Sequence, residues 1–322
     1  MSPAAHVTAS PAVSVIVPTF NRLQFLPAAI TSLREQSETD WQLIIADDGS
    51  DDATRAYLRT LEAPPRVTIL WLAHSGRPGI ARNAALRVAR GEFIAFLDSD
   101  DLWLPHKLAR QLASLRRQPQ RHWGYTAFEL IDASGRRRRR GAAATPGGWI
   151  LETLLTERTV IALPSVVVRR ALLERLGGFD ERLTMCEDDE LWLRLAAASE
   201  VDALAEPLTL VRRHGQHGGN DRTAWRDRRT VFERALERNP PPRVRALLRG
   251  LRAQMSAGLA RSEARSGLRH AAFLTLLRSA PYSWRYPLWW HGALHCLWQL
   301  LAPAALRSRL RSLRQRRLEA RP

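Results

Sequence analysis

The chain has 322 residues, 45% of them hydrophobic, and its 49 Lys and Arg against 32 Asp and Glu give a formal charge of +17. That length and apolar content exclude a disordered or fibrous chain and support a sizeable core. Two cysteines, Cys186 and Cys296, exclude a disulfide framework and a zinc site of Cys and His at ligand spacing, so a reducing cytoplasm fits best. The basic excess is nearly all Arg. It would attract nucleic acid, anionic lipid or phosphorylated substrates without specifying a fold, and it equally reflects a GC-rich genome. Residues 1–12 lack the basic start and apolar run of a signal peptide; they are expected to be disordered, and export is not expected.

From residue 13 to about 131, short apolar runs alternate with longer helical patterns. Val13–Val17, Gln42–Ala46, Val67–Leu72 and Phe93–Leu97 read as buried strands, and Leu23–Gln36, Asp51–Leu61, Ile80–Arg90 and His106–Arg117 as helices between them. The pattern predicts an α/β fold with a mostly parallel sheet covered on both faces. In such sheets ligands sit outside the carboxyl ends of the strands. Three polar clusters fall there: Pro18-Thr19-Phe20-Asn21, Asp47-Asp48-Gly49-Ser50 and Asp98-Ser99-Asp100-Asp101.

The last cluster is the most informative. An apolar strand ending in three carboxylates cannot fill a core there, because burying unpaired charges costs more than a domain's net stability. Oxygen ligands at a strand end suit a hard divalent ion, Mg²⁺ or Mn²⁺, completed by water and substrate phosphates. The alternative is a solvated acidic turn, or a cap by Asp100 or Asp101 on the helix starting near Pro105. Convergence of three strand ends on one crevice favours the metal.

Farther on, Arg136–Gly148 contains five consecutive Arg and reads as a solvated loop. No aromatic residues interleave to stack bases, so nucleic-acid binding is not expected. Arg169–Leu176 reads as a helix, Gly177–Asp180 as a turn and Asp188–Ala198 as a helix. The catalytic region is expected to span 13–220, followed by a helical, Arg-rich region over 221–322, broken at Asn239-Pro240-Pro241-Pro242. Residues 286–306 are nearly uncharged and Trp-rich and precede a basic tail. His291, His295, Gln299 and Pro303 interrupt them, against a spanning helix. Two readings stand side by side: peripheral membrane contact through 286–317, or a helix packed on the sheet domain or on a second copy in a homodimer.

Taken together, Val13-Ser14-Val15-Ile16-Val17-Pro18-Thr19-Phe20-Asn21-Arg22, Asp47-Asp48-Gly49-Ser50, Ala81-Arg82-Asn83, Leu97-Asp98-Ser99-Asp100-Asp101 and Glu187-Asp188 resemble the family 2 glycosyltransferases of the GT-A fold. The similarity covers roughly residues 12 to 220; each motif alone is weak, and their order and spacing carry it.

The resemblance implies a nucleotide-diphosphate-sugar donor, a divalent cation and transfer with inversion. By it, Pro18, Thr19, Phe20 and Asn21 line the base and ribose pocket, Asp48 accepts a hydrogen bond from a pyrimidine nitrogen, and Arg82 lies near the base or the phosphates. Asp98 matches the ribose-side carboxylate, Ser99 stands beside it, and Asp100 matches the carboxylate holding the metal on the diphosphate. Chemistry makes the same demand: a metal neutralises the leaving diphosphate, and a carboxylate takes the acceptor's proton. Asp188, in the family's Glu-Asp position at a helix start, is the candidate base, although Glu187 and Asp189 are also ordinary dipole partners there. His214 or His217 would add a metal ligand, His214 being the better match.

Departures also inform. Neither the Gln-x-x-Arg-Trp motif of processive synthases nor several spanning helices are present, favouring single-sugar transfer to a glycan or lipid-linked acceptor in cell-envelope polysaccharide synthesis. The expected enzyme is cytoplasmic, or peripheral on the inner face of the membrane. The competing reading is a non-catalytic basic protein binding nucleic acid or an anionic membrane. A dinucleotide enzyme lacks its Gly-x-Gly-x-x-Gly here, and a P-loop ATPase its Gly-Lys-Ser/Thr.

Overall fold

The computed structural model describes residues 10–62, 66–140, 144–156, 159–213 and 221–301. The chain divides into two compact units, one ending at Gly218 and one starting at Gly219.

The first unit begins as the alternation predicts: β1 (Val13–Thr19), α1 (Leu26–Arg34), β2 (Trp41–Asp47), α2 (Asp52–Arg59), β3 (Val67–Trp71), α3 (Pro78–Val88) and β4 (Phe93–Phe96). These strands are parallel, in the order β3-β2-β1-β4. Their residues alternate between two cores. Ile16, Ile44, Ile94 and Phe96 face one side with Ala81 and Ala85 of α3, while Val15, Val17, Ile45 and Ala95 face the other with Leu26, Ile30 and Leu33 of α1. Two-sided burial is why these runs read as continuously apolar. Because β2 lies on one side of β1 and β4 on the other, the chain reverses its direction of winding between β1 and β4. A crevice opens at their carboxyl ends.

The remaining elements are β5 (Leu102–Trp103), α4 (Lys107–Arg117), β6 (Trp123–Ile131), β7 (Arg137–Arg140), α5 (Leu151–Leu155), β8 (Val166–Arg169), α6 (Arg170–Leu176), α7 (Glu187–Ala198) and β9 (Val201–Arg212). They extend the sheet as β4-β8-β6-β9-β5, with β8 antiparallel to both β4 and β6, and β6 parallel to β9. The arginine run corrects the sequence reading: Arg137–Arg140 is not a loop but strand β7, antiparallel to β6. Carboxylates of β6 and of the turn after it offset its self-repulsion, Arg137 meeting Glu129 at 3.2 Å and Arg138 meeting Asp132 at 2.6 Å.

The second unit contains α8 (Asp221–Glu237), α9 (Pro242–Arg265), α10 (Arg269–Ser283) and α11 (Pro287–Leu301). Prolines 240 and 241 end the α8 segment, and Pro242 opens α9 at a position where its missing N–H costs nothing. α9 presents Ala253, Ala257, Ala260 and Ala264 to Trp289, Ala293 and Cys296 of α11. Approach is close enough that a Cβ on Gly292 would stand 2.6 Å from that of Ala257. No described helix is long and apolar enough to cross a membrane.

Candidate active site

A cleft of about 650 Å³ lies over the β1/β4 reversal, lined by Pro18 and Thr19 at the end of β1 and Phe20 just beyond it, Asp48 after β2, Asp98 to Asp101 after β4, Arg82 of α3, and Glu187 and Asp188 of α7. Three strand ends and two helices therefore deliver their polar groups to one place. Four arginines, Arg22, Arg77, Arg82 and Arg213, share the lining with the carboxylates, so one cleft offers both cationic and anionic groups.

Asp48 is buried, and its carboxylate is engaged through both oxygens. Oδ1 accepts from the Ser75 backbone N–H at 2.9 Å and the Ser75 hydroxyl at 2.8 Å; Oδ2 accepts from the Gly76 N–H at 3.0 Å and lies 3.2 Å from His74 Nδ1. His74 Nδ1 pairs at 2.9 Å with the Asp48 backbone carbonyl, so Oδ1 has two hydrogen-bond partners and Oδ2 one. Here Asp48 organises the β3–α3 connection. His74, held by that connection, stacks on Phe20 with ring centroids 4.0 Å apart and planes 21° apart. Gly49, at φ +79°, permits this approach, since a Cβ there would stand 2.9 Å from the His74 nitrogen.

Asn21 sits differently. Its Oδ1 accepts from the Asp51 N–H at 2.7 Å and its own N–H donates to Ser50 Oγ at 3.0 Å, so it clips the end of β1 to the start of α2. It is not among the residues lining the cleft.

Arg82 is the electrostatic hub. Buried in α3, it donates through Nη1 to Glu187 at 2.7 Å and through Nη2 to Asp98 at 2.8 Å, joining α7 to the end of β4. Burial pulls its guanidinium down, but the charges of Asp98 and Glu187 outweigh that and hold it above its ordinary value. The next residue, Asn83, accepts from the Phe179 N–H at 2.8 Å and donates to the Phe179 carbonyl at 2.9 Å. It thereby fixes the turn before α7. Gly178 at φ +68° is required in that turn, because a Cβ would fall 2.5 Å from Asn83 Oδ1. α7 then opens on Cys186 at φ +60°, with Glu187, Asp188, Asp189 and Glu190 in its first turn. Asp188 is half-buried; desolvation first, then the charge of Asp189, pushes its carboxyl up to about 6.

The loop after β4 is held from behind. Arg212, the last residue of β9, donates its N–H to Asp101 Oδ1 at 2.7 Å and its Nε–H to the Asp100 carbonyl at 2.8 Å. Desolvation raises Asp98 and raises Asp101 well above the usual carboxylate range, with Asp100 adding repulsion to both. Arg22 Nε lies 4.0 Å from Asp100 Oδ2. Crowded hard oxygen donors that repel one another fit a divalent cation. Among the described residues no three His, Cys, Asp or Glu side chains are arranged to hold an ion by themselves. The fit is therefore to an ion completed by phosphate oxygens and water. His214 and His217 lie outside the described residues.

Of the expected residues, Pro18, Thr19, Phe20, Asp48, Arg82, Asp98, Ser99, Asp100 and Asp188 converge and Asn21 does not. His74, Arg77 and Arg213 were not anticipated. Extending the strand-end rule to β3, whose chain continues into His74-Ser75-Gly76-Arg77, would have found the first two.

Comparison with known proteins agrees with this geometry. The family model described as "Glycosyl transferase family 2" matches residues 14–162. UDP-Glc:alpha-D-GlcNAc-diphosphoundecaprenol beta-1,3-glucosyltransferase WfgD of Escherichia coli is 32% identical over 195 residues, 60% of this chain and 72% of WfgD. TuaG of Bacillus subtilis (strain 168), named for teichuronic acid biosynthesis, is 36% identical over 126 residues, 39% of this chain; the match spans half of TuaG's length. The crystal structure of S. aureus TarS 1-349 in complex with UDP superposes with a TM-score of 0.62 over 84% of this chain and 88% of that one, at 18% identity. The mixed α/β architecture is thus of the GT-A kind, with a helical C-terminal region. Carboxylate-tipped parallel strands and a relative matched over most of its length lead to one conclusion: the chain belongs to glycosyl transferase family 2.

Proposed function

We propose that the protein transfers a single sugar from a UDP-sugar to a hydroxyl of a lipid-linked glycan, with inversion, in the building of a cell-envelope polysaccharide. The observation that carries this is the meeting, in one cleft, of an aromatic platform, an arginine-rich flank and two sets of carboxylates. WfgD, by name, acts on a diphosphoundecaprenol-linked sugar, and TarS binds UDP; both support the choice of donor and acceptor class.

In this reading Phe20 and His74 form the face against which the base stacks, and Asp48 keeps His74 in place. Asp98 turns toward the ribose side with Ser99, and Asp100 would hold Mg²⁺ or Mn²⁺ against the diphosphate, with His214 as a further ligand. When bound, the ion supplies Lewis-acid neutralisation of the leaving diphosphate. Arg22, Arg77 and Arg213 add positive charge to the cleft lining, Arg22 lying 4.0 Å from Asp100.

Asp188, at the start of α7, accepts the proton of the acceptor hydroxyl as that hydroxyl's oxygen bonds to the anomeric carbon and the carbon–diphosphate bond breaks. A single displacement leaves the anomeric configuration inverted and needs no covalent nucleophile. A carboxyl near pH 6 is ionised at neutral pH yet more basic than an ordinary Asp, which suits a general base. An enzyme with this acceptor works at the inner face of the membrane, as a peripheral cytoplasmic protein.

The test is a panel of nucleotide sugars with a lipid-diphosphate-linked acceptor and Mn²⁺, read by product formation and anomeric configuration. Transfer from one UDP-sugar, abolished by a chelator and restored by the metal, is expected. Retention of configuration overturns the single displacement. Steeply salt-dependent polynucleotide binding with no response to any nucleotide sugar overturns the enzyme reading.

A further inference from the structure

The C-terminal unit turns its large apolar side chains outward. α11 carries apolar side chains on two faces, with His291, His295 and Gln299 elsewhere on the helix: Trp289, Ala293 and Cys296 pack toward α9, while Trp290 and Trp298 are partly exposed and Leu294 and Leu301 are 61% and 79% exposed. At spacings of i, i+4, i+8 and i+11, those four share one stripe of the helix. Exposed Trp284 adjoins it at the α10–α11 corner, where Trp290 Nε1 donates to the Trp284 carbonyl at 2.7 Å. Phe273 and Leu277, one turn apart on α10, are exposed as well. A contiguous exposed stripe of Trp and Leu marks a surface that a non-aqueous partner covers.

Charge identifies that partner. Between Glu263 and Glu319 the sequence contains no Asp or Glu. Arg278 follows Leu277 and Arg285 follows Trp284; both are exposed, and the Arg285 guanidinium lies 4.9 Å from the Trp284 ring centroid. Six further arginines follow α11 between Arg307 and Arg317. We infer that this face of α10 and α11 docks on an anionic phospholipid bilayer, its Trp and Leu side chains entering the acyl boundary and its arginines pairing with lipid phosphates. His291, His295 and Gln299 lie within the described part of α11, so in this inference the helix lies in the plane of the surface rather than crossing it. A second copy of the chain is a poorer occupant. A two-fold interface on this face would bring like arginines together in a stretch that has no carboxylate to pair with them. The inference goes beyond the peripheral placement proposed above by naming the two-helix face and its lipid, and it depends on no property of the cleft.

Flotation of the full chain with vesicles of phosphatidylcholine alone, or mixed with phosphatidylglycerol, tests it. Binding to the anionic vesicles, weakened by high salt and at least about tenfold poorer on neutral ones, is expected. Leu294→Gln with Trp298→Gln should lower partitioning at least about tenfold, and Arg278→Gln and Arg285→Gln about fivefold each, with circular-dichroism melting unchanged. Should a variant unfold, quenching of the wild-type tryptophans by bromine-labelled acyl chains decides instead. Absence of binding to anionic vesicles, binding undiminished in the Leu294/Trp298 variant, or absence of quenching overturns the inference. So does a dimer in sedimentation equilibrium that this variant abolishes, which would make a second copy the occupant. Donor hydrolysis in vesicle-free buffer reports on the cleft alone, so the two readings fail separately.

Discussion

The two units break the ordinary burial rule in opposite directions. The first draws charge inward: Asp48, Arg82, Asp101, Glu187 and Arg212 are all buried, gathered where the parallel strands end. The second packs alanine and serine inside, on α9 and α10, and leaves tryptophan and leucine in water. Because buried polar groups and exposed apolar patches are the informative exceptions, each departure points to a ligand complementary to it. Inward charge fits an ionic substrate; outward apolar surface fits lipid.

The sharpest way to break the first half of that comparison is Asp188→Asn. If the inward carboxylate is the base, the transfer rate falls by roughly 10²–10⁴-fold, while UDP affinity, followed by tryptophan fluorescence, holds. The same assignment fixes a pH profile. The base acts when ionised, so kcat/KM of the wild type should fall with unit slope as pH drops through about 6, and that limb should vanish in the variant. An unchanged rate in Asp188→Asn sinks the assignment.

Arg82→Met probes the same interior through stability. It leaves Asp98 and Glu187 without their shared cation, a change of the kind that costs about 3–5 kcal/mol. The sign with pH follows from carboxyls already raised by burial and raised further once the guanidinium is gone. The variant is least unstable in acid, where both are protonated, and loses stability as pH rises through their folded values. Urea unfolding at several pH values measures this; equal loss at all pH values would show that the pair is not what Arg82 stabilises.

Legibility in the sequence followed the same divide between regular and irregular. β1 to β4 could be read because two-sided burial writes uninterrupted apolar runs and a parallel sheet places function at their ends. β6, β8 and β9 could not. Trp123–Ile131 mixes Gly, Thr and Glu, Val166–Arg169 is four residues long, and Val201–Arg212 carries Pro207 at a shift in register. The strand of arginines defies residue preference altogether; its pairing comes from Glu129 and Asp132, residues the run itself does not contain. Motif reading placed the carboxylates in the cleft but could not see that Asp48 accepts from Ser75 and Gly76, or that Asn21 serves a turn. Those are facts of hydrogen-bond geometry, which spacing does not encode.

Lys107 sharpens the comparison from another side, being an inward charge remote from any ligand. It is the chain's single lysine, fully buried, with Nζ 4.0 Å from the Trp103 ring centroid and no hydrogen-bond partner among the described residues. Desolvation holds it well below its ordinary value of 10.5. The unfolded chain then binds the extra proton, so the wild type should gain stability as pH rises toward 10.5. Lys107→Met should flatten that slope and, at neutral pH, stabilise by about 1 kcal/mol, since a buried amine that sheds its proton on folding is exchanged for an apolar chain of similar length. A loss of stability would mean the amine is held as a cation by the Trp103 ring.

The smallest expected effect is the one that separates the two units most cleanly. Leu294→Gln and Leu195→Ala each remove apolar surface from one leucine, in α11 and α7. Leu195 is wholly buried and its truncation should cost about 2–5 kcal/mol through lost contact and an unfilled cavity. Leu294 is mostly in water already, so its replacement forfeits little burial and should move stability by no more than about 0.5 kcal/mol in lipid-free buffer. Thermal melts of the two variants side by side measure the difference. A near-neutral Leu294→Gln means that the leucine stripe contributes nothing to holding the unit together. A large loss would show that some part of the chain covers the stripe in solution, and the outward face of the comparison would disappear.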